Sequence, residues 1–183
     1  MLERCLIECC SSTLASLKSA SLFSSSFDSL EDAKEQIRFW NQCFQSKGLR
    51  LFLLRFKGNR ALIYVYRRSQ LENILRNPEI ADFLQQYGYS QLDTKSALLR
   101  LRSRIAESDD FPHEIGIFLD YPLGDVMGFI HNRGRNFKYV GCWKVYCDEC
   151  ICRKKFAQFK KCQQVYMRLW QQGRSVLQLT VAA

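Results

Sequence analysis

Histidine is scarce in this chain of 183 residues, which contains only His113 and His131. A metal site with three histidine ligands is therefore excluded, and few schemes of acid–base catalysis are left. Long apolar runs are missing as well; the longest lie at residues 51–54, 61–66 and 115–119. Because a transmembrane helix needs about 20 apolar residues, none of these runs predicts a membrane span.

Several functional signatures are absent from the sequence. It contains neither of the glycine-rich loops that bind nucleotide phosphates, nor the G-x-S-x-G turn of serine hydrolases. His113-Glu114 begins like a zinc-protease motif, but Ile117 stands where the second histidine is required. The amino-terminal 20 residues include charged side chains that interrupt any signal-peptide core, so we expect a cytoplasmic protein. The length favours a single domain over residues 1–183.

Positive charge is concentrated near the carboxyl terminus. The net charge is +9, and residues 131–174 contain eleven basic and two acidic residues, so this segment (11 − 2 = +9) accounts for all of it. The basic residues are Arg133, Arg135, Lys138, Lys144, Arg153, Lys154, Lys155, Lys160, Lys161, Arg168 and Arg174. Such a segment favours an acidic partner, namely nucleic acid, an anionic membrane surface or an acidic protein; a solvated helix face is the alternative. For nucleic acid, only Tyr139 and Trp143 are expected to be free for base stacking.

Nine cysteines, an odd number without a secretion signal, predict reduced thiols rather than a disulfide framework. Cys142, Cys147, Cys150 and Cys152 could together hold zinc or an iron–sulfur cluster. No second pair of ligands lies at the spacing of a structural zinc site, however, so we predict no metal and no cofactor. Cys10, followed by Lys18, is a candidate reactive thiol, although its position inside a predicted helix removes any help from the helix dipole.

The amino-terminal third of the chain predicts two helices. Residues 1–20 have apolar side chains at helical spacing, and the serine-rich residues 21–28 predict a loop. Ser29, with Asp32 three residues later, predicts a capped helix that ends at Gly48.

A β-hairpin is predicted next. Two strand-like segments, residues 50–57 and 60–67, flank Gly58-Asn59, a pair that tolerates the positive φ of a hairpin turn. Nearly every residue from 62 to 66 is apolar or aromatic, which predicts a central strand covered on both faces.

Helical patterns dominate the rest of the chain, at residues 69–75, 78–87, 94–107, 112–119, 122–130 and 149–172. Residues 137–146 predict a further strand, and residues 175–181 an edge strand or a tail. The sequence therefore predicts an α+β fold: a small, mainly antiparallel sheet with a central hairpin at about residues 50–67, and several packed helices. We expect the last helix to pack across the hairpin.

Several stretches resemble a domain-of-unknown-function family that is common in clostridia and related anaerobes. The longest is HEIGIFLDYPLGDVMGFI at residues 113–130. Shorter ones are Cys10-x-x-Thr-Leu-Ala-x-Leu-Lys18 with Leu22-Phe23, RALIYVYR at residues 60–67, Gly134-x-Asn136-x-Lys138, Trp143-Lys-Val-Tyr146 and Phe159-Lys-Lys-Cys162. The family has no established activity, so the resemblance implies kinship rather than a reaction.

The resemblance implies a functional role at nine positions, which are Cys10, Thr13, Lys18, Arg67, His113, Glu114, Tyr121, Asp125 and Cys162. The family pattern usually has a histidine before the amino-terminal cysteine and a proline two places after it. This chain has Cys9 and Ser12 there, which argues against histidine–cysteine chemistry.

The positions of His113 and Glu114 in the fold determine whether we expect a small-molecule site. The proline before them predicts a helix start, so both residues should lie in the first turn, where free N–H groups favour an anion. Glu114 would then stabilise the helix, whereas His113 should be neutral and hydrogen-bonded. The pair is either structural or opens onto a concave surface near Cys10, Lys18 or Tyr121 that binds an anionic ligand.

Two functions follow as hypotheses. The leading one is a binding or accessory protein that docks an acidic redox protein or nucleic acid through residues 131–174. Its docking residues are Arg133, Arg135, Lys138, Lys144, Arg153, Lys154, Lys155, Lys160 and Lys161. The alternative is an enzyme or a small-anion-binding protein with a site near Cys10, Lys18, His113 and Glu114.

Overall fold

Nine α-helices and five strands form within residues 2–107 and 110–182, the part of the chain that the computed structural model describes. The helices are α1 (Leu2–Leu14), α2 (Leu30–Cys43), α3 (Arg68–Leu75), α4 (Pro78–Gln85), α5 (Thr94–Glu107), α6 (Ile115–Phe118), α7 (Leu123–His131), α8 (Glu149–Gln171) and α9 (Val176–Leu179). The strands are β1 (Ala20–Ser26), β2 (Leu49–Lys57), β3 (Arg60–Arg67), β4 (Tyr139–Val140) and β5 (Lys144–Val145). The predicted α+β class is confirmed.

The predicted hairpin is confirmed and forms most of a three-stranded antiparallel sheet with the order β1-β3-β2. Lys57 pairs with Arg60 across the turn, and Gly58 has a φ of +62°. Glycine adopts this left-handed conformation without the steric cost that a Cβ atom imposes. The turn chemistry therefore sets the register of the two strands.

β3 is the central strand and is buried along nearly its whole length, as predicted. Its side chains alternate between two cores on opposite faces of the sheet. Ala61, Ile63 and Val65 pack with α1, α2 and α9, whereas Leu62, Tyr64 and Tyr66 pack with α3 to α7. Apolar residues at every position are needed because both faces are covered.

The predicted loop at residues 21–28 is wrong, because most of this segment forms β1 and pairs with β3. Its serines suit an edge strand packed closely under α1. The Ser21 hydroxyl lies 2.8 Å from that of Thr13, and Cys5 Sγ donates to Ser25 Oγ. Small hydroxyl groups satisfied by the helix above them allow a serine-rich strand to be buried.

The first two helices end earlier than predicted. α1 stops at Leu14 rather than near residue 20, so that the chain can turn into β1. α2 begins with the predicted cap, in which Asp32 N–H donates to Ser29 Oγ. It ends at Cys43, and a short 3-10 turn then leads to Gly48, which has a left-handed φ of +67°.

The single strand predicted at residues 137–146 is also wrong. The segment folds back on itself as a separate two-stranded ribbon of β4 and β5, in which Tyr139 pairs with Val145. This ribbon lies against α7 and the start of α8, and Trp143, Val145, Cys152 and Phe156 form a small core of their own there.

α8 matches the predicted last helix almost to the residue, but it packs on α1 rather than across the hairpin. α1 already covers that face of the sheet, so α8 forms an outer layer. The segment after it is the short helix α9, in which Ser175 and Gln178 form a reciprocal capping box. Among the helices of the described residues, none is both long and apolar enough to cross a membrane.

Candidate functional site

Asp125 connects α7 to the ribbon and to α8. Its carboxylate is 2% exposed and accepts hydrogen bonds through both oxygens. Oδ1 accepts from the backbone N–H groups of Tyr146 and Cys147, each at 2.8 Å. Oδ2 accepts from the Trp143 indole at 2.8 Å and from the Cys152 thiol at 3.7 Å. With its oxygens engaged, Asp125 is an organising residue and not a free acid or base.

Tyr121 and Trp143 form a stack beside this carboxylate. Their ring centroids are 4.6 Å apart, and the edge of Phe156 closes the other side of Trp143 at 4.5 Å. Lys18 Nζ lies 5.3 Å from the centre of the Tyr121 ring. Burial, followed by the neighbouring Cys142, raises the pKa of Tyr121 to about 12, so the phenol stays neutral.

A largely apolar cavity of about 290 Å³ lies between α6, α7 and the ribbon. Its walls include Phe111, Tyr121, Phe129 and Trp143, and Asp125 contributes to its floor. His113 and Lys144 also line it. This cavity unites three of the predicted site residues, namely His113, Tyr121 and Asp125.

Glu114 does not face this cavity with its neighbour. Its side chain is fully buried and accepts from Arg104 Nε at 2.8 Å and from the Tyr89 hydroxyl at 3.2 Å. The predicted helix start is wrong as well: α6 begins at Ile115, so Glu114 is the residue before the helix, and its side chain makes no cap hydrogen bond to it. It forms a structural ion pair between α5 and α6.

His113 is exposed, and its ring meets the ring of Phe129 edge-on at 5.1 Å. In the described residues we find no hydrogen-bond partner for the imidazole, so the hydrogen bond that the sequence predicted is not present. The four residues Cys10, Lys18, His113 and Glu114 do not share a pocket within the described part of the chain.

Lys18 lies in a second, more polar cleft of about 230 Å³ between α1, β1 and α8. The polar residues that line it with Lys18 include Glu8, Ser11, Ser12, Ser21 and Lys160. Burial lowers the pKa of Lys18 from its usual 10.5. Apart from the Tyr121 ring, the described residues supply no hydrogen-bond or ion-pair partner for its amine.

Cys10 lies on the buried face of α1, close to this cleft. Burial, and then the neighbouring Cys9, raises the pKa of the Cys10 thiol well above its usual value. Because the thiolate is the nucleophile, the geometry argues against a reactive Cys10.

Arg67 is 1% exposed and serves the fold. Its guanidinium donates to the carbonyl oxygens of Thr13 at 2.7 Å, Leu14 at 2.6 Å, Val181 at 2.9 Å and Lys47 at 3.4 Å. The first two belong to the last turn of α1, whose carbonyl oxygens need donors from outside the helix. Thr13 O also accepts from Ser16 N–H, and Leu14 O also accepts from Val181 N–H. Arg67 therefore caps α1 and holds the carboxyl-terminal segment. Thr13, another predicted site residue, is also buried, and its hydroxyl group is hydrogen-bonded to that of Ser21.

The predicted docking residues lie in the turn after α7 (Arg133 and Arg135), on or next to the ribbon, and on α8, and all of them except the half-buried Lys144 are exposed. Among the described residues, Arg153 is the only one of this set paired with a carboxylate, that of Glu149 at 2.7 Å. Lys138 and Lys144 instead donate to backbone carbonyls. This region is a cationic surface with few internal counter-charges.

The two rings expected to be free for base stacking are both engaged. Trp143 is buried between Tyr121 and Phe156. Tyr139 stacks on Phe156, and the Arg153 guanidinium covers it at 3.8 Å from the ring centre. The sequence could not separate stacking rings from core rings here, because the ribbon buries its aromatic side chains in its own small core.

The cysteines of the carboxyl-terminal cluster do not converge. Cys152 is buried against Asp125, whereas Cys142, Cys147 and Cys150 are exposed. Within residues 2–107 and 110–182, no three side chains of histidine, cysteine, aspartate or glutamate come close enough to hold a metal ion. Cys162 is half-buried on the α1 side of α8 and its pKa is raised by burial, which agrees with a packing role.

A sequence model of the DUF3793 family, described as a protein of unknown function, matches residues 6–180. The chain belongs to this family. The match covers both cavities and the basic surface, and it confirms the predicted resemblance at the level of a domain of unknown function. Searches of curated proteins and of solved structures give no match to this DUF3793 chain.

Sequence reasoning missed the partners that give these residues their roles. Nothing in the spacing of Asp125 and Trp143 indicates their hydrogen bond, and Arg104 gave no sign of pairing with Glu114. No sequence motif marks Phe111 and Phe129 as walls of a cavity. Phe111 lies just before residues 113–130 and Phe129 lies within them, and this clustering of aromatic residues around one segment is the signal that could have identified them.

Proposed function

We propose that this DUF3793 protein is a binding protein that docks an acidic partner protein through the ribbon and α8. The observation that carries the proposal is the arrangement of cations along α8. Lys154, Lys161 and Arg168 are spaced by seven residues, and so are Arg153 and Lys160 beside them. All five are exposed.

Seven residues correspond to about two helical turns, or ~10.5 Å along the axis. The five cations therefore form two adjacent rows on α8. Lys154, Lys161 and Arg168 lie opposite the face that packs on α1, whereas Lys160 also borders the Lys18 cleft. An acidic helix lying alongside could place carboxylates at the same repeat, as helices do when charged residues flank their contact. Acidic redox proteins are one class of partner with suitable charge.

The surface suits a protein better than a nucleic acid. Binding of single-stranded nucleic acid combines cations with aromatic rings on which bases stack. Here Tyr139 and Trp143 are covered by other side chains. Only Phe137, among the rings of the ribbon, is substantially exposed. A cationic surface without exposed aromatic rings for base stacking favours a partner that is recognised through its carboxylates.

The test uses a labelled acidic helical peptide with glutamate at seven-residue spacing, a peptide of the same composition in permuted order, and a 20-residue oligothymidylate. Fluorescence anisotropy at low and at physiological salt measures their affinities. The triple variant Lys154→Gln, Lys161→Gln and Arg168→Gln removes one row. Arg4→Gln, Lys34→Gln and Arg38→Gln is the matched control, since these cations are paired with glutamates elsewhere.

We expect the ordered peptide to bind more tightly than the permuted one. The first variant should lose about tenfold, since three exposed pairs contribute roughly 0.5 kcal/mol each. The control should bind within twofold of the wild type. Equal losses in both variants, or tighter binding of oligothymidylate with a steep salt dependence, would overturn the proposal.

A second candidate function, the binding of a small anion, is favoured by the Lys18 amine. It is half-buried and has no hydrogen-bond or ion-pair partner among the described residues, and serines and Lys160, together with Glu8, line the same cleft. Inorganic phosphate is a suitable probe for titration calorimetry. Lys18→Met should abolish phosphate binding, whereas Lys95→Met, at an exposed position on α5, should leave it unchanged. Equal binding by the two variants would refute this candidate.

A further inference from the structure

The cavity between α6, α7 and the ribbon is not explained by docking of a partner on α8. We infer that it binds a planar bicyclic aromatic acid, with the rings inside and the carboxylate at the opening beside His113 and Lys144.

The interior chemistry selects an apolar, aromatic ligand. Phe111, Tyr121, Phe129 and Trp143 present rings from three different parts of the fold, and Val126 adds an aliphatic wall. The polar atoms of Asp125 are occupied by the ribbon and α8. A ligand inside the cavity therefore meets rings and methyl groups rather than free hydrogen-bonding groups, as is usual for sites that enclose aromatic molecules.

The volume sets the size of the ligand. An apolar cavity of about 150 Å³ stays free of water and takes up benzene. The present cavity, at about 290 Å³, is roughly twice that size. Two fused rings are the matching ligand, whereas a single ring would leave empty space and lose dispersion contacts.

The opening selects a negative charge. His113 is exposed, and its imidazole has no hydrogen-bond partner among the described residues. Lys144 Nζ uses one of its three donors on Gly134 O at 2.7 Å and lies 5.0 Å and 5.7 Å from the centres of the Phe137 and Phe129 rings. The two remaining N–H donors of the Lys144 ammonium, and the imidazole of His113, are thus available at the edge of an aromatic cavity. A carboxylate attached to the bound rings would pair with them.

The test uses 2-naphthoate, with 2-naphthamide as the neutral ligand of the same shape. The chain contains three tryptophans, of which only Trp143 lines this cavity. In a ¹H–¹⁵N correlation spectrum, 2-naphthoate should shift one of the three indole N–H signals, and Trp143→Phe identifies that signal. Calorimetry gives the affinities of both ligands.

Two kinds of variant separate the charge from the rings. His113→Leu, which removes the donor, and Lys144→Gln, which removes the charge, should each weaken naphthoate binding by about tenfold and leave naphthamide binding unchanged. Phe111→Ala should weaken both ligands, because it removes a wall that is 39% exposed and so can be shortened without opening the core. Phe39→Ala is the control, since Phe39 is 58% exposed on α2 and does not line the cavity.

The inference is overturned if millimolar naphthoate leaves the Trp143 signal unmoved. It is also overturned if the amide binds as tightly as the acid, or if Phe39→Ala weakens binding as much as Phe111→Ala does. None of these outcomes affects the docking surface, whose variants lie on α8.

Discussion

Replacing Asp125 by asparagine tests whether this carboxylate holds the ribbon and α8 in place. The amide has the same shape but offers only one acceptor oxygen. If that oxygen keeps the N–H groups of Tyr146 and Cys147, the amide nitrogen faces the indole N–H of Trp143, and two donors then oppose each other. The buried indole is left without an acceptor.

The expected loss of stability follows from these contacts. Loss of a hydrogen bond to a charged group costs about 1.5–3 kcal/mol, and the two remaining bonds weaken as their acceptor becomes neutral. We expect Asp125→Asn to lower the free energy of unfolding by about 3 kcal/mol, a large part of the ~5–15 kcal/mol of a typical domain.

Urea unfolding, followed by tryptophan fluorescence, measures this loss. Asp148→Asn is the matched control, because Asp148 caps α8 by accepting from Ile151 N–H and asparagine caps a helix equally well. The control should change stability by a few tenths of a kcal/mol. A loss in Asp125→Asn no greater than in the control would refute the organising role of Asp125.

Three further predictions follow from buried groups. Arg67→Met should lower the free energy of unfolding by about 3–5 kcal/mol in the same urea assay, because it removes a buried donor to four carbonyl oxygens. A loss below about 1 kcal/mol would contradict a structural role for Arg67. Burial lowers the pKa of Lys18, so the unfolded chain holds the Lys18 proton more tightly than the folded chain does. The free energy of unfolding of the wild type should therefore rise relative to that of Lys18→Met as pH increases towards and past 10.5. A difference between the two free energies that stays constant or falls would disprove this. Cys10, buried with a raised pKa, should react with iodoacetamide far more slowly than the exposed Cys150, as mass spectrometry of labelled peptides would show; comparable rates would contradict its burial.

The hairpin and the central strand could be predicted because their signals are local. Gly58-Asn59 specifies the turn, and the apolar residues of β3 report burial on both faces directly. Ser29 caps α2 through its own near neighbours. In each case the residues that decide the structure are close together in the sequence.

β1 could not be predicted in the same way, because the reason for its burial lies in another element. Serine is typical of turns and caps, yet Ser21 and Ser25 are buried in β1 because α1 supplies Thr13 and Cys5 as their partners. The ribbon was missed for a similar reason: Asp125, on α7, accepts from the backbone of the segment that follows β5 and so fixes where the ribbon lies.

The candidate site was predicted in part. His113, Tyr121 and Asp125 do line one cavity. Glu114 and Arg67, by contrast, are buried charged groups whose partners come from distant positions in the sequence. A functional carboxylate or guanidinium and a structural one look alike until those partners are known.

Mapping of the docking face tests the central claim most directly. ¹H–¹⁵N correlation spectra, recorded while the ordered acidic peptide is added, report which backbone amides sense binding. We predict shifts along the exposed side of α8, from Arg153 to Arg168, that diminish as salt is added and are absent from α2. Shifts confined to other elements, or none at all on α8 at saturating peptide, would contradict the assignment of this helix as the docking surface.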